Sequence, residues 1–382
     1  MSWEYKTLDQ LGEVSRGRSK HRPRNDPSLF GGKYPFIQTA DVKVANFYIT
    51  EYDTTYNEKG LAQSRLWNPG TLCITIAANI ADTGILAMDA CFPDSVMGFL
   101  PYEGIADVRF VKYCFDILQQ NCKKISQGAA QDNLSWEKLS TILFPAPPIE
   151  VQTKIADILS TYDNLIENNK KQIKLLEEAA QRLYKEWFVD LRFPGHETTH
   201  IVDGIPEGWS KEELGNIAVL RAGGDRPKVF SKVKTVECSV PVFSNGTEDE
   251  GLYGFTNLAE IYDPCVTISA RGSVGYTCLR KVAFVPIVRL ISVIPKQIEV
   301  EYLFYFLKNM VFESNGAAQQ QITVPMIKNK QVVLPAKTVI NLFVSKIHPM
   351  MDLREKLKNK ISALSEARNR LLPKLMSGEI EV

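Results

Sequence analysis

Two long stretches of the chain carry apolar residues at seven-residue intervals, while the rest is built from short apolar runs. From Glu150 to about Trp187, Ile155, Tyr162, Leu176 and Leu183 keep that interval. Ile158/Leu159, Leu165/Ile166, Ile173, Ala179/Ala180 and Trp187 supply a second stripe beside it. Together they predict a long helix with an a/d seam. In the other stretch Phe343, Met350, Leu357, Leu364 and Leu371 are seven apart, with Ile347 and Ile361 between them and Arg354 and Arg368 interrupting the stripe. At 1.5 Å per residue each helix reaches roughly 55 Å. A domain of the size available here cannot bury such a stripe, so the two helices are expected to pair with each other. A whole globular unit lies between them, which makes an antiparallel pair with globular units at opposite ends the compact solution. Asn169 falls on the a-type line, either as a register-fixing buried amide or as an exposed polar break. His348-Pro349 predicts a kink, or a restart with Pro349 in a first turn.

The intervening stretches predict mixed α/β units with many short strands, among them Tyr34–Thr39, Thr71–Ile76, Val240–Phe243, Cys265–Ile268 and Ala283–Val288. Asn68-Pro69-Gly70, Asn245-Gly246, Gly251 and Gly272 punctuate them as turns. Helices are expected over Asp107–Cys122 and Glu301–Phe312. Each unit closes with a proline stop, Pro145-Ala146-Pro147-Pro148 and Pro335-Ala336, just before its long helix.

These units form an internal repeat. Gly128-Ala129-Ala130-Gln131 recurs as Gly316-Ala317-Ala318-Gln319, a shift of 188. The same shift carries Leu139 onto Ile327, Pro147 onto Pro335, and Glu178-Ala179-Ala180-Gln181-Arg182-Leu183 onto Glu366-Ala367-Arg368-Asn369-Arg370-Leu371. Upstream, Trp3…Leu11-Gly12-Glu13-Val14 resembles Trp209…Leu214-Gly215-Asn216-Ile217. The chain therefore reads as a globular unit (1–149), a helix (150–190), a linker (191–205), a second globular unit (206–336), and a second helix with a tail (337–382).

Composition narrows the function. The chain has 382 residues, 45% hydrophobic and 23% charged, which excludes a disordered, collagen-like or disulfide-stapled chain. A net charge of +1 means that any nucleic-acid surface must be local. The first residues hold no apolar core and no run approaches 18 apolar residues, so neither a secretory signal nor a membrane span is expected and the chain reads as cytoplasmic. Seven scattered cysteines (73, 91, 114, 122, 238, 265, 278) without a CxxC, and four histidines without zinc spacing, predict reduced thiols and no metal site. Phosphate-binding, dinucleotide and nucleophile-elbow motifs are all absent. Asn68-Pro69-Gly70 is not the Asn-Pro-Pro-aromatic tetrad of amino-methyltransferases. Pro93-Asp94 with Glu103-Gly104-Ile105 lacks the lysine of a PD…ExK nuclease. No catalytic residue is therefore expected.

What remains points to binding. Arg16, Arg18, Lys20, Arg22 and Arg24 place five cations in nine residues, in the loop after Leu11-Gly12-Glu13-Val14. The equivalent loop of the second unit carries Arg221, Arg226, Lys228, Lys232 and Lys234. Two basic loops at matching repeat positions suit phosphate contacts at two places, although each also reads as a solvated loop. Gln127, Gln131 and Asn133, with Asn315, Gln319, Gln320 and Gln321, bring amides to matching turns. There they are either adenine-reading groups or simple turn and cap residues. Arg271, between Ala270 and Gly272, reads as an exposed loop arginine for guanine or phosphate.

The doubled unit, the helix end Tyr184-Lys185-Glu186-Trp187-Phe188-Val189-Asp190, the opening Ile205-Pro206-Glu207-Gly208-Trp209 and the closing Leu371-Leu372-Pro373-Lys374-Leu375-Met376-Ser377-Gly378-Glu379-Ile380 together resemble specificity subunits of type I restriction–modification systems. The resemblance spans the whole chain. It implies an α+β architecture: two mixed α/β target-recognition domains joined by two long antiparallel helices in a coiled coil, with pseudo-two-fold internal symmetry. It further implies recognition of a gapped, bipartite site on double-stranded DNA. The implied partners are two copies of an adenine-N6 methyltransferase subunit and an endonuclease/translocase subunit, in a system of phage defence. This chain would bind no cofactor itself; S-adenosylmethionine would belong to the methyltransferase, ATP and magnesium to the endonuclease. On the residues alone, two other readings stay open. A protein-binding coiled-coil scaffold would tolerate Arg18→Glu and Arg226→Glu, and an unrecognised methyltransferase or nuclease would bind S-adenosylmethionine or metal by itself.

Overall fold

Apolar residues pointing alternately to the two faces of short strands build the core of each unit. The computed structural model describes residues 3–76, 82–125, 136–311 and 321–382. Its internal contacts divide the chain into two units, residues 1–173 with 356–382 and residues 174–355. That division cuts through both long helices, so each unit joins a globular body to a segment of each helix.

In the first unit, strands β1 (Gly12–Arg16), β2 (Leu72–Thr75), β3 (Thr83–Leu86) and β4 (Val96–Pro101) form an antiparallel sheet in the order β1-β4-β2-β3. Tyr48–Ile49 adds in parallel at the β3 edge. Leu72, Ile74, Ile85, Met97 and Phe99 point to one face, against Phe110, Val111, Cys114 and Phe115 of helix α1 (Val108–Ile125). Cys73, Leu86 and Val96 point to the other, against Trp67 and Phe92. A two-stranded ribbon, Glu4–Lys6 with Phe144–Ala146, closes the unit ahead of the first long helix, α2 (Ile149–Tyr184). Buried Gln152 ties that helix to the body: its amide donates to the carbonyls of Ile105 (2.9 Å) and Pro147 (2.8 Å) and accepts from the Asp107 N–H (3.1 Å).

The second unit repeats the plan. Strands β5 (Ala218–Ala222), β6 (Cys265–Ile268), β7 (Thr277–Arg280) and β8 (Ile291–Pro295) take the order β5-β8-β6-β7, with helix α3 (Val300–Asn309) in the place of α1. Ser210–Glu213 pairs with Gln331–Leu334 ahead of the second long helix, α4 (Lys337–Met376). A smaller sheet recurs as well: Phe30–Pro35 pairs antiparallel with Thr55–Tyr56 and Phe36 bridges Cys91 in parallel, as Val240–Phe243 pairs antiparallel with Leu252–Thr256 and in parallel with Val285–Pro286.

Segments of the two long helices pack together inside each unit. In the first, Ile155, Ala156 and Leu159 meet Leu372, Leu375 and Met376. Arg368 forms an ion pair there with Asp163, whose side chain is wholly buried. Tyr113 of α1 donates to the same carboxylate at 2.6 Å, and the Asn46 amide stands 3.4 Å from it. Burial, reinforced by the Asp163 charge, pushes the Tyr113 phenol well above its ordinary range, so it acts as a donor. In the second unit Ala180, Tyr184 and Trp187 meet Ile340, Phe343 and Ile347. Here Arg354 pairs with Glu177 at 2.5 Å and with Glu250 at 2.9 Å. Glu177 lies fourteen residues beyond Asp163 on α2, and Arg354 fourteen before Arg368 on α4, so the helix segments run antiparallel. The arginines that interrupt the apolar stripe are interhelical ion pairs.

Several expectations are corrected. Helix α4 runs unbroken through Pro349, so the helix does not restart there with Pro349 in a first turn. Pro349 and Ser345 both lie on the exposed side of the helix, so the carbonyl that loses its donor is on the solvent face, while buried Phe343 and Ile347 hold the inner face. Asn169 is buried, which sets aside the exposed break, and its amide nitrogen has no hydrogen-bond partner among the described residues. The run Tyr34–Thr39 gives the end of a strand (Phe30–Pro35) and the start of a helix (Thr39–Val44), because Asp41 accepts the Gln38 N–H at 2.7 Å. The Tyr184–Asp190 motif ends α2 in a π-turn at Lys185–Val189, which carries Trp187 and Phe188 into an aromatic cluster with Trp209, Tyr302 and Phe343.

Arg368→Met strands a buried carboxylate and is expected to cost about 3–5 kcal/mol in urea unfolding of the full chain. Arg354→Met, at a half-exposed pair, is expected to cost about 1 kcal/mol or less. Equal losses in the two variants would contradict the assignment of the buried anchor to Arg368.

Candidate nucleic-acid interface

Strand register decides where the basic loops emerge. Arg16 pairs with Met97, Ile74 with Met97, and Ile74 with Thr83, so the ends of β1 and β2 and the starts of β3 and β4 share one edge of the first sheet. Ala222 pairs with Ile291, Ile268 with Ile291, and Ile268 with Thr277, which gives the second sheet the same edge. Each basic loop leaves its sheet there through a glycine that no larger residue can replace. A Cβ on Gly17 would stand 2.3 Å from the Pro93 carbonyl oxygen, and one on Gly223 2.6 Å from that of Pro286.

The first loop is held from beneath. Gly17 N–H donates to the Val96 carbonyl (2.8 Å) and Arg18 N–H to that of Phe92 (3.0 Å). The Ser64 hydroxyl donates to the Arg18 carbonyl (2.7 Å), and Gln63 accepts the His21 N–H (2.9 Å). Arg22 folds back onto the carbonyls of Ser19 (2.7 Å) and His21 (2.8 Å), and Arg24 pairs with Asp94 at 2.8 Å. His21 stands 2.7 Å from Asp26, whose carboxyl is held down at about 2, chiefly by the Ser28 backbone N–H. Arg16, Arg18 and Lys20 are exposed and make no ion pair among the described residues, so their charge faces solvent. Beside the loop a cleft of about 400 Å³ is lined by Ser19, Arg24, Asn25, Phe30, Phe36 and Gln38, among others.

In the second unit the loops are stitched into one cluster. Val288 and Arg289 turn with φ of 55° and 66°, and their N–H groups donate to Gly224 (2.8 Å) and Gly223 (3.1 Å). The Asn245 side chain donates to the Val288 carbonyl (2.6 Å) and accepts the Ala270 N–H (2.8 Å). Next to it Arg271 donates to Gln321 at 3.2 Å, which brings together two residues chosen separately from the sequence. Arg221 and Lys228 are exposed, and Arg226 lies 5.0 Å over the Phe230 ring. Gln127, Gln131, Asn133, Gln319 and Gln320 lie outside the described residues.

Sequence reasoning passed over two cations at these edges. Arg65 lies 3.8 Å over the Trp67 ring and donates to the Ser15 hydroxyl at 2.9 Å, beside the first loop. Arg289 follows the expected strand Ala283–Val288, which shortens to Val285–Pro286 and gives way to the turn that carries it. The alternation of Arg65 with Trp67 was a usable signal; for Arg289 the sequence offers none.

An exposed, sheet-edge cluster of Arg, Lys, Asn and Gln is chemically suited to phosphate oxygens and base edges. Among the described residues no group of His, Cys, Asp or Glu is placed to hold a metal, and no helix is long and apolar enough to cross a membrane.

The chain matches the family described as type I restriction modification DNA specificity domain, twice, over residues 1–178 and 206–363. Among similar proteins, the MjaIX type I restriction enzyme specificity subunit of Methanocaldococcus jannaschii is 27% identical, over all of this chain and 94% of that one. The HindI specificity subunit of Haemophilus influenzae is 22% identical, over 97% of this chain and 98% of its own. The crystal structure of a type I restriction–modification S subunit from M. genitalium shares the fold, with a TM-score of 0.62 at 14% identity, covering 98% of this chain and 96% of that one. Each matched segment contains one sheet, its basic loop and much of the long helix that follows, and the chain belongs to the type I restriction–modification DNA specificity family.

Proposed function

We propose that each target-recognition domain reads one half of a gapped, bipartite DNA site and that the paired helices set the gap between the halves. The observation that carries this is the recurrence of a basic, glycine-anchored loop at the same edge of two equivalent sheets, each in a unit that shares the two long helices. Arg16, Arg18 and Lys20 in the first domain and Arg221, Arg226 and Lys228 in the second take phosphates. Arg271 and Gln321, joined at the edge of the second domain, read bases, as do the amides Gln127, Gln131, Asn133, Gln319 and Gln320. Arg22 and Arg24 shape the first loop, because Arg22 is spent on the loop's own carbonyls and Arg24 ties the loop to Asp94.

In this reading the chain performs no chemistry. It places two copies of an adenine-N6 methyltransferase subunit, which supplies S-adenosylmethionine, and an endonuclease subunit that uses ATP and magnesium, on DNA in the cytoplasm. Support comes from the family membership and from the missing catalytic motifs. The scaffold alternative has no observation in its favour that the basic loops do not serve better.

Three outcomes test the proposal. Exchanging residues 206–336 for those of another family member should change one half of the methylated motif, and a change in both halves would contradict it. Matched seven-residue insertions after Lys170 and Ile361 keep the heptad phase on both helices. They add about 10 Å and should widen the spacer by about 3 base pairs with both halves intact, whereas an unchanged spacer rules out the ruler. Arg18→Ala and Lys20→Ala should each weaken binding alike on all sequences and lower the salt slope by about 1, measured by titration at several salt concentrations.

A further inference from the structure

We propose that the second recognition domain reads thymine through Val233 and Val236, whose side chains meet 5-methyl groups in the major groove. This inference rests on the DNA-reading function proposed above. It starts from a loop that is tightly fixed and yet leaves its aliphatic residues in water.

Residues 229–238 are held at several points. Ser231 and Phe255 exchange both backbone hydrogen bonds, at 2.9 and 2.8 Å. The Thr256 hydroxyl donates to the Val229 carbonyl at 2.6 Å, and the Ser231 hydroxyl to that of Val233 at 2.6 Å. Lys232 donates to the Tyr253 carbonyl at 3.2 Å and lies 3.8 Å over the Tyr253 ring. A turn closes the far end, where Thr235 N–H donates to the Cys238 carbonyl (3.0 Å) and Cys238 N–H to the Thr235 hydroxyl (2.9 Å). Even the floor is fitted: a Cβ on Gly254 would stand 2.5 Å from the Phe230 ring.

A loop fixed this firmly has the means to turn its aliphatic residues inward. Instead Val233 is 68% exposed and Val236 fully so, with Val229 partly exposed behind them. Isolated exposed valines are ordinary, but here they alternate with Lys228, Lys232 and Lys234, and five cations (counting Arg221 and Arg226) face two carboxylates, Asp225 and Glu237. Methyl-bearing side chains interleaved with positive charge match a surface with phosphates at its rim and methyl groups in its groove. The thymine 5-methyl is the apolar feature that the major groove presents, and side-chain methyls read it by contact. The first basic loop, Arg16–Arg24, holds no valine, leucine or isoleucine, so it lacks this means of reading.

The test uses the full chain assembled with its methyltransferase subunit and duplexes carrying its mapped site. Replacing thymine by uracil in one half-site removes the methyl groups and leaves the hydrogen-bonding edges unchanged. Uracil in the second half should weaken wild-type binding about four-fold for each methyl contacted, and the Val233→Ala/Val236→Ala variant should lose that discrimination. Discrimination retained by the variant, no uracil effect in the wild type, or a second half-site without A·T pairs would each overturn the proposal. Loss of the methyltransferase subunit by the variant would reassign the loop to protein contact. A wild-type assembly that binds its site no better than random duplex would instead sink the DNA-reading function itself, a distinct failure.

Discussion

The structure depends most on Arg368, the buried one of two arginines placed where an apolar stripe should be. Arg368 reaches a carboxylate that has left water completely, and Arg354 reaches one at the same distance along the other helix in the opposite direction. A buried carboxylate without its partner is severely penalised, so a helix shifted by even one turn is excluded far more strongly than a slip of leucine against leucine would be. Each arginine pair also engages the neighbouring globular body. Tyr113 hydrogen-bonds Asp163 in the first unit, and Glu250 takes Arg354 in the second. Helix pairing and domain attachment are thus specified by the same few polar atoms, while Phe343, Ile347, Leu372 and Leu375 supply the apolar burial around them.

From that constraint follows a division of labour. The repeated sheets keep one strand order, one ribbon ahead of each long helix and one glycine at the mouth of each basic loop. Past that glycine the halves diverge. The first loop folds Arg22 back on itself, pairs Arg24 with Asp94 and leaves Arg16, Arg18 and Lys20 outward, whereas the second stacks cations on Phe230 and Tyr253 and joins Arg271 to Gln321. Conserving the frame while varying the loop edge is the form expected of a chain whose two halves address different sequences through one common assembly.

Much of this was legible in the sequence because it depends on periodicity. The seven-residue spacing located both helices, and the shift of 188 located the repeat; Gly17 and Gly223 follow equivalent strands within it. What escaped depends on tertiary context. Pro349 reads as a helix breaker, and its exposure makes it harmless. Arg354 and Arg368 read as flaws in a stripe until Asp163 and Glu177 are seen opposite them. Arg289 was passed over because the turn that carries it, cutting short the strand expected to reach Val288, is held by the backbone of Gly223 and Gly224. The Tyr184–Asp190 motif carried the family resemblance, yet its physical reason, a π-turn that seats Trp187 and Phe188 among aromatic rings, has no signature in spacing.

The central claim is that one chain confers a two-part DNA address on enzymes that lack one. The most direct measurement is a genome-wide map of N6-methyladenine in a methylation-free host that expresses this chain with its neighbouring methyltransferase subunit, alongside hosts expressing each alone. A single gapped motif that appears with both chains together and with neither alone is the predicted result. Methylation at an ungapped or unspecific set of adenines, or the same motif produced without this chain, would contradict the account.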